Sequence, residues 1–277
     1  MATTKRSGNE HSESDATSGI VGADETAVPA PGSTPSGERR RSLRELGPVL
    51  LWRAAHPRQA LVTAAAVAIA AAMTDRAPRE IVLVFATVVV GQAILGWHND
   101  LTDRRRDLKH EARNKPLVQG LLDPGTVWFA VTVAVLLVIP LSISSGVTAG
   151  SAYLLSLAAG LLANVVLRTG PLSWLPWAVS FGLLPAYLSY GGWGGGQVAG
   201  DPPTLLMTLL AAMLGVGVHF LRALPGLVAD HADGYRHLPL QLALKLGATR
   251  VLVISSLYTA AVVVAMLVTG STVGLSR

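Results

Sequence analysis

The chain has 277 residues, of which 51% are apolar and only 14% charged, about half the charged share of an ordinary soluble domain. Together with a mean hydropathy of +0.46, that balance excludes a disordered chain, argues against a soluble enzyme and points to a polytopic membrane protein. The net charge of +5 and pI near 9.9 suit cytoplasmic loops facing anionic headgroups better than nucleic acid, and the absence of cysteine removes disulfides, thiolate metal sites and cysteine nucleophiles.

Residues 1–45 are expected to form a disordered polar and basic tail, too poor in large apolar side chains to offset the entropy of ordering. No apolar segment follows Lys5 and Arg6, so the start does not read as a secretory signal. Arg39, Arg40, Arg41 and Arg44 precede the apolar run Leu46 to Trp52. That pattern fits a short amphipathic helix on an anionic membrane face and, equally, a solvated basic linker.

Residues 46–277 form the expected membrane-embedded domain. Seven apolar stretches of spanning length or slightly less run at about 58–74, 80–98, 125–142, 148–168, 172–190, 203–225 and 249–269. Backbone polar groups in lipid must bond within their own segment, and no ten-residue alternation suggests a barrel, so the fold class is an all-α transmembrane bundle. The 99–124 connection holds Arg104, Arg105, Arg106, Lys109, Arg113 and Lys115; Arg168, Arg236 and Lys245 fall on the same side. The positive-inside rule places that side and the N-terminus in the cytoplasm of a plasma-membrane protein, with Arg277 outside.

The second apolar stretch ends in Asn99-Asp100-Leu101-Thr102-Asp103-Arg104-Arg105-Arg106-Asp107. If the helix continues, Asn99, Asp103 and Asp107 stack one turn apart, with Asp100 beside Asp103. Like charges so close repel, so a cation is expected among them. Oxygen-only ligands suit a hard ion such as magnesium, which is usually held by a few carboxylates plus substrate phosphates. Arg113 and Lys115, in Arg113-Asn114-Lys115-Pro116, add cations suited to phosphate oxygens. The alternative is a solvated loop whose carboxylates pair with Arg104, Arg105 and Arg106.

At these residues the chain resembles the UbiA superfamily of intramembrane prenyltransferases, whose first motif is N-D-x-x-D-x-x-x-D at the end of the second helix, followed by a basic-residue-Pro segment. The resemblance extends from about residue 47 to the end, and Leu167-Arg168 to Pro185 is similar to the family's fourth-to-fifth helix connection. The second acidic motif departs from the pattern. Aligned on Leu224-Pro225 and on Gly234 to Pro239, the family's Asn position is Arg222, its first Asp is Gly226 and its second is Asp230; Asp233 adds a carboxylate one turn on. The family usually has nine helices, and this chain ends soon after its seventh. The resemblance then implies a bundle completed by a partner chain or lipid, or an altered activity.

The resemblance implies Mg2+ held by Asp100, Asp103, Asp107, Asp230 and Asp233. Asn99, Arg113, Lys115 and Arg168 would help bind an isoprenoid diphosphate, whose prenyl group passes as an allylic cation to a small-molecule acceptor, an aromatic one by expectation. A terpene cyclase of the same family and a non-catalytic lipid- or partner-binding protein are the competing readings. His98 and His219 are weaker candidates, read first as an interfacial and a helix-packing histidine. Trp174, Trp177, Trp193 and Tyr190 suggest an interfacial belt, and Tyr153 and Tyr187 either line a prenyl channel or simply pack.

Overall fold

A computed structural model describes residues 46–74, 76–112, 114–192, 197–198 and 200–273. The expected tail 1–45, together with Arg113, Trp193 and the last residues, lies outside the described residues. The chain is an all-α bundle. Its helices are α1 (Gly47–Ala54), α2 (Pro57–Ala72), α3 (Pro78–Lys109), α4 (Pro124–Ile143), α5 (Val147–Val165), α6 (Leu175–Gly182), α7 (Leu184–Tyr190), α8 (Leu205–Ala223), α9 (Leu227–Ala232), α10 (Leu238–Leu246) and α11 (Ala248–Val273). A single 3-10 turn, Leu224–Gly226, joins α8 to α9.

Local sequence sets these boundaries. Pro57, Pro78 and Pro124 open α2, α3 and α4, where a missing N–H costs nothing and the fixed φ is already helical. Asp123 caps α4 by accepting from the Thr126 amide at 3.2 Å, and Thr204 caps α8 through the Met207 amide at 3.2 Å. The stretch expected at 172–190 is two helices. Pro185 lacks the N–H that would continue the ladder, and its ring would collide with the carbonyl one turn back, so the helix breaks at Leu183.

Five helical segments among the described residues, Pro78–Lys109, Pro124–Ile143, Val147–Val165, Leu205–Ala232 and Ala248–Thr272, are long and apolar enough to cross a membrane. The other two expected stretches are shorter as single helices, α2 with 16 residues and the pair α6 and α7 with 8 and 7. Helix α3, at 32 residues, is about 48 Å long against a hydrocarbon layer of roughly 30 Å. It therefore carries its polar end, with the acidic motif, out of the apolar zone. Only 17% of the most apolar part of α11 is buried, so most of that helix faces outward and suits lipid.

The core runs between α2, α3, α4, α5 and α7. Ala64, Val67 and Ala71 of α2 meet Val84, Val88 and Ile94 of α3, with Val131, Ala134 and Val138 of α4 beside them. Tyr153 and Tyr187 belong to this core, with ring centroids 4.9 Å apart and the Tyr153 hydroxyl donating to the Thr87 carbonyl at 3.3 Å. Neither lines the cavity described below, so packing is their role here. Small residues allow helices to approach, as membrane packing requires. At Gly215 a methyl group would run into the Trp177 carbonyl, because α6 and α8 meet backbone to backbone there.

That contact yields a test. Gly215→Ala should push α6 from α8 and destabilise the protein by about 1–3 kcal/mol, read as a lower thermal midpoint in detergent. Gly47→Ala, with open space around the site, should be neutral or better.

Candidate active site

The end of α3 delivers Asn99, Asp100, Asp103 and Asp107 beyond the apolar layer. Asp100 is 1% exposed and Asp103 7%, a burial that carboxylates tolerate only with partners. Lys115, in the connection after α3, supplies one, with Nζ 2.9 Å from Asp100 and 2.7 Å from Asp107. Burial alone would lower the Lys115 pKa, but Asp100 and Asp107 outweigh it and hold the ammonium above its ordinary value. Leu117 and Leu122 anchor that connection against Leu50 and Ala54 of α1 and Val127 of α4, which fixes where Lys115 stands.

His56 is the second partner of Asp100, at 3.0 Å from Nε2 to Oδ1. It occupies the left-handed region, with φ 53°, which costs a non-glycine residue about 1–2 kcal/mol. Pro57 disfavours the right-handed helical region for the residue before it. The resulting turn between α1 and α2 aims the imidazole at α3. Arg168, just past α5, pairs with Asp103. Backbone joins the two flanking connections, the Arg236 amide donating to the Thr169 carbonyl at 2.7 Å.

The second acidic segment faces α3 from α9. Arg106 reaches across to both carboxylates, at 2.6 Å from Asp230 Oδ1 and 2.6 Å from Asp233 Oδ2. Lys109 and His110 also reach Asp233, at 2.6 and 2.9 Å, while His237 Nε2 lies 2.9 Å from Asp230 Oδ2. Because His237 Nδ1 accepts from the Leu240 amide at 3.2 Å, its Nε2 carries the proton and donates to Asp230. Hydrogen bonds from Lys109, Arg106 and His110 hold the Asp233 carboxyl well below the usual carboxylate range. Tyr235 lies between two guanidinium groups, 5.0 Å from Arg106 and 5.6 Å from Arg168.

The structure thus brings Asp100, Asp103, Asp107, Lys115, Arg168, Asp230 and Asp233 to one end of the bundle, and places Asn99 at the mouth of a cavity there. Arg113 lies outside the described residues. His98 stands edge-on to Trp128 and within 3.5 Å of Asn164. His219 is buried and bonded to Ser173 at 3.0 Å. Sequence reasoning assigned no role to His56, Arg106 as a bridge, or His237. Each contacts a carboxylate far away in the chain or across a turn, so helical spacing could not reveal them; the His56-Pro57 pair before an apolar run was the one local signal.

A cavity of about 1150 Å3 runs from this end through the bundle. Its walls come from α2, α3, α5, α6, α7, α8 and α11 and are mainly apolar, whereas His56, Gln59, Asn99, Asn164 and Arg222 are polar members of the wall near the acidic end. Trp177 lines it too. The volume exceeds that of a drug-sized site, roughly 300–1,000 Å3, and leaves room for a long hydrocarbon beside a second molecule.

Among the described residues no three His, Asp or Glu side chains converge as a ready metal cage, since the carboxylates are turned toward basic partners. The first segment nevertheless keeps spare donors. Among the described residues Asp100 Oδ2 is buried without a hydrogen-bond partner, and Asp103 and Asp107 each bond there through one oxygen alone. Magnesium commonly takes one or two carboxylates and completes its shell with phosphate and water oxygens, so the donors present fit such an ion together with a phosphorylated ligand.

A family model described as the UbiA prenyltransferase family matches residues 60–276. Solved structures of a UbiA homolog from Archaeoglobus fulgidus share the fold. The form bound to GPP and Mg2+ has 17% identity and a TM-score of 0.60, covering 80% of this chain and 87% of that one. The form bound to DMAPP and Mg2+ has 16% identity and a TM-score of 0.59 over the same shares, and a form bound to Cd2+ has 15% identity, 0.59, with 80% and 89% covered. A search of curated proteins finds no match.

The depressed Asp233 carboxyl predicts an acid limit. A group whose folded pKa lies below its unfolded value, about 3.9, stabilises the fold above that value and loses the effect as pH falls through the folded one. Asp233→Asn should therefore lower the thermal midpoint at neutral pH and flatten the loss of stability below pH ~4.

Proposed function

The chain belongs to the UbiA prenyltransferase family and is a multi-pass membrane protein, and on that premise we propose that it transfers an isoprenyl group from an isoprenoid diphosphate to a small-molecule acceptor. The observation that carries the reading is a large, mainly apolar cavity whose wall includes Asn99 and His56, the latter bonded to the buried Asp100, whose Oδ2 has no hydrogen-bond partner. The bound GPP and DMAPP of the archaeal homolog support the same substrate class.

On this reading Asp100, Asp103 and Asp107 hold Mg2+. A divalent ion bound there would neutralise charge growing on the departing diphosphate. Lys115 and Arg168 stand at the same carboxylates and are placed to meet non-bridging oxygens when the substrate arrives, preorganised charge that acts as the bond breaks. Asn99, whose side chain has no hydrogen-bond partner among the described residues, orients the diphosphate at the cavity mouth. The C1–O bond of the allylic diphosphate breaks with its electron pair leaving on oxygen. The cation is held among apolar walls where water is scarce, and the acceptor, an aromatic ring by preference, attacks C1 and then loses a proton. The acidic end faces the cytoplasm of a plasma membrane in this reading, by the distribution of Arg and Lys.

Two tests follow. Asp103→Asn keeps size but removes a charge, so prenyl transfer from geranyl diphosphate should fall at least about 100-fold while the protein still inserts; near wild-type turnover would refute the metal assignment. Because the chain has no cysteine, a single cysteine placed at Lys109 should label with a membrane-impermeant thiol reagent in inverted vesicles and not in intact cells. The opposite pattern would reverse the orientation.

A further inference from the structure

Arg222 occupies the last turn of α8 and opens onto the cavity at the end where α3 delivers Asn99. Among the described residues its guanidinium has no hydrogen bond or ion pair; its contact is the face of Trp177, 5.4 Å from the ring centroid. The side chain is accessible and forms part of the cavity wall. Arginine does not give up its charge, and an ionisable side chain within a spanning segment is costly unless it pairs with something or serves the site. Lys115, Arg168, Arg106 and Lys109 at this end each face a carboxylate. Arg222 opens instead onto the cavity, whose wall near this end also holds Asn99, Asn164, Gln59 and His56.

The second acidic segment supplies an independent observation. Both oxygens of Asp230 are engaged, one by Arg106 and one by His237, and so are both of Asp233, by Arg106, His110 and Lys109. Asp100, by contrast, keeps Oδ2 free. Gly226, at the turn between α8 and α9, offers no side chain, and an added Cβ there would lie 3.3 Å from Asp230 Oδ2. Among the described residues the spare anionic donors of the two acidic segments therefore lie on the α3 side, and the α8 side presents a cation.

We propose that Arg222 binds the substrate's diphosphate directly, taking the place of a second metal on the α8 side, while Asp230 and Asp233 serve to fix Arg106 between α3 and α9. The proposal deepens the prenyl-diphosphate reading and rests on it. A guanidinium offers two parallel N–H donors to non-bridging phosphate oxygens, and the Trp177 ring holds its plane. Its charge, unlike that of a metal, cannot be removed by a chelator. Diphosphate binding then divides into a metal-dependent part at α3 and a metal-independent part at α8.

The full chain in lipid nanodiscs is titrated with inorganic pyrophosphate by calorimetry, in EDTA and again in excess Mg2+. Wild type should bind in EDTA, and Arg222→Gln should weaken that binding about tenfold or more, the loss of a charge-assisted pair. Arg222→Lys keeps the charge but loses the parallel donor pair and the flat face over Trp177, so it too should weaken binding, by less than Arg222→Gln. Replacing Arg222 by Asn and Gly226 by Asp together should abolish binding in EDTA and restore it with Mg2+. Absence of binding by wild type in EDTA, or unchanged binding in Arg222→Gln, overturns the proposal. If pyrophosphate binds through Arg222 and yet no prenyl diphosphate is ever turned over, the inference stands and the transferase reading fails.

Discussion

Carboxylates gathered at the end of an apolar bundle must be matched by cations, and the arrangement of this end follows from that requirement. Asp100 and Asp103 on α3 and Asp230 on α9 are buried, and repulsion among like charges grows as water is excluded. The matching partners come from separate parts of the chain: the cations Lys115 after α3 and Arg168 after α5, and the imidazoles of His56 before α2 and His237 before α10. The His56–Asp100 and Arg168–Asp103 pairs close long loops, 44 and 65 positions apart. Arg106 works in the other direction, reaching from α3 to both acids of α9. One set of ion pairs both ties the connections together and leaves Asp100 Oδ2 buried without a hydrogen-bond partner.

The apolar part answers a different demand. In lipid no hydrophobic drive brings helices together, so association relies on close packing by small residues, as at Gly215 against the Trp177 carbonyl and along the Ala64 and Ala71 face of α2. The break at Pro185 divides one crossing into α6 and α7, both of which contribute to the cavity wall through residues such as Trp177 and Leu184. A tight core of Tyr153, Tyr187, Val84 and Val88 on one side and an open cavity on the other is the division of labour that the proposed hydrocarbon substrate requires. The archaeal homolog's shared fold, at a TM-score of 0.60, agrees with that architecture.

The helices were legible wherever an apolar run was long and bounded by proline or glycine, as in α3, α4, α5, α8 and α11. Two features were not. The division of 172–190 depends on Pro185 lying within a run that hydropathy alone reads as continuous, and α2 is 16 residues, at the edge of what length can decide. The acidic face of α3 was legible because helical spacing stacks Asn99, Asp103 and Asp107. What spacing cannot provide is the partner: His56 reaches Asp100 from 44 positions away, and Arg106 lies 124 positions from Asp230. In the sequence Arg104, Arg105 and Arg106 are equivalent, and only the approach of α9 selects the third. Arg222 was visible as a departure from a pattern, but its lack of a counter-ion among the described residues and its stacking on Trp177 required the fold.

The central claim is that this end of the bundle ionises a prenyl diphosphate with the help of a divalent cation. Release of inorganic diphosphate from geranyl diphosphate by the purified protein in nanodiscs, followed with and without Mg2+ in the presence of an aromatic acceptor mixture, tests it most directly. The account predicts steady release in Mg2+ that stops on chelation and is accompanied by a prenylated product. Binding of the diphosphate with no release at any Mg2+ concentration, across several prenyl lengths, would contradict it.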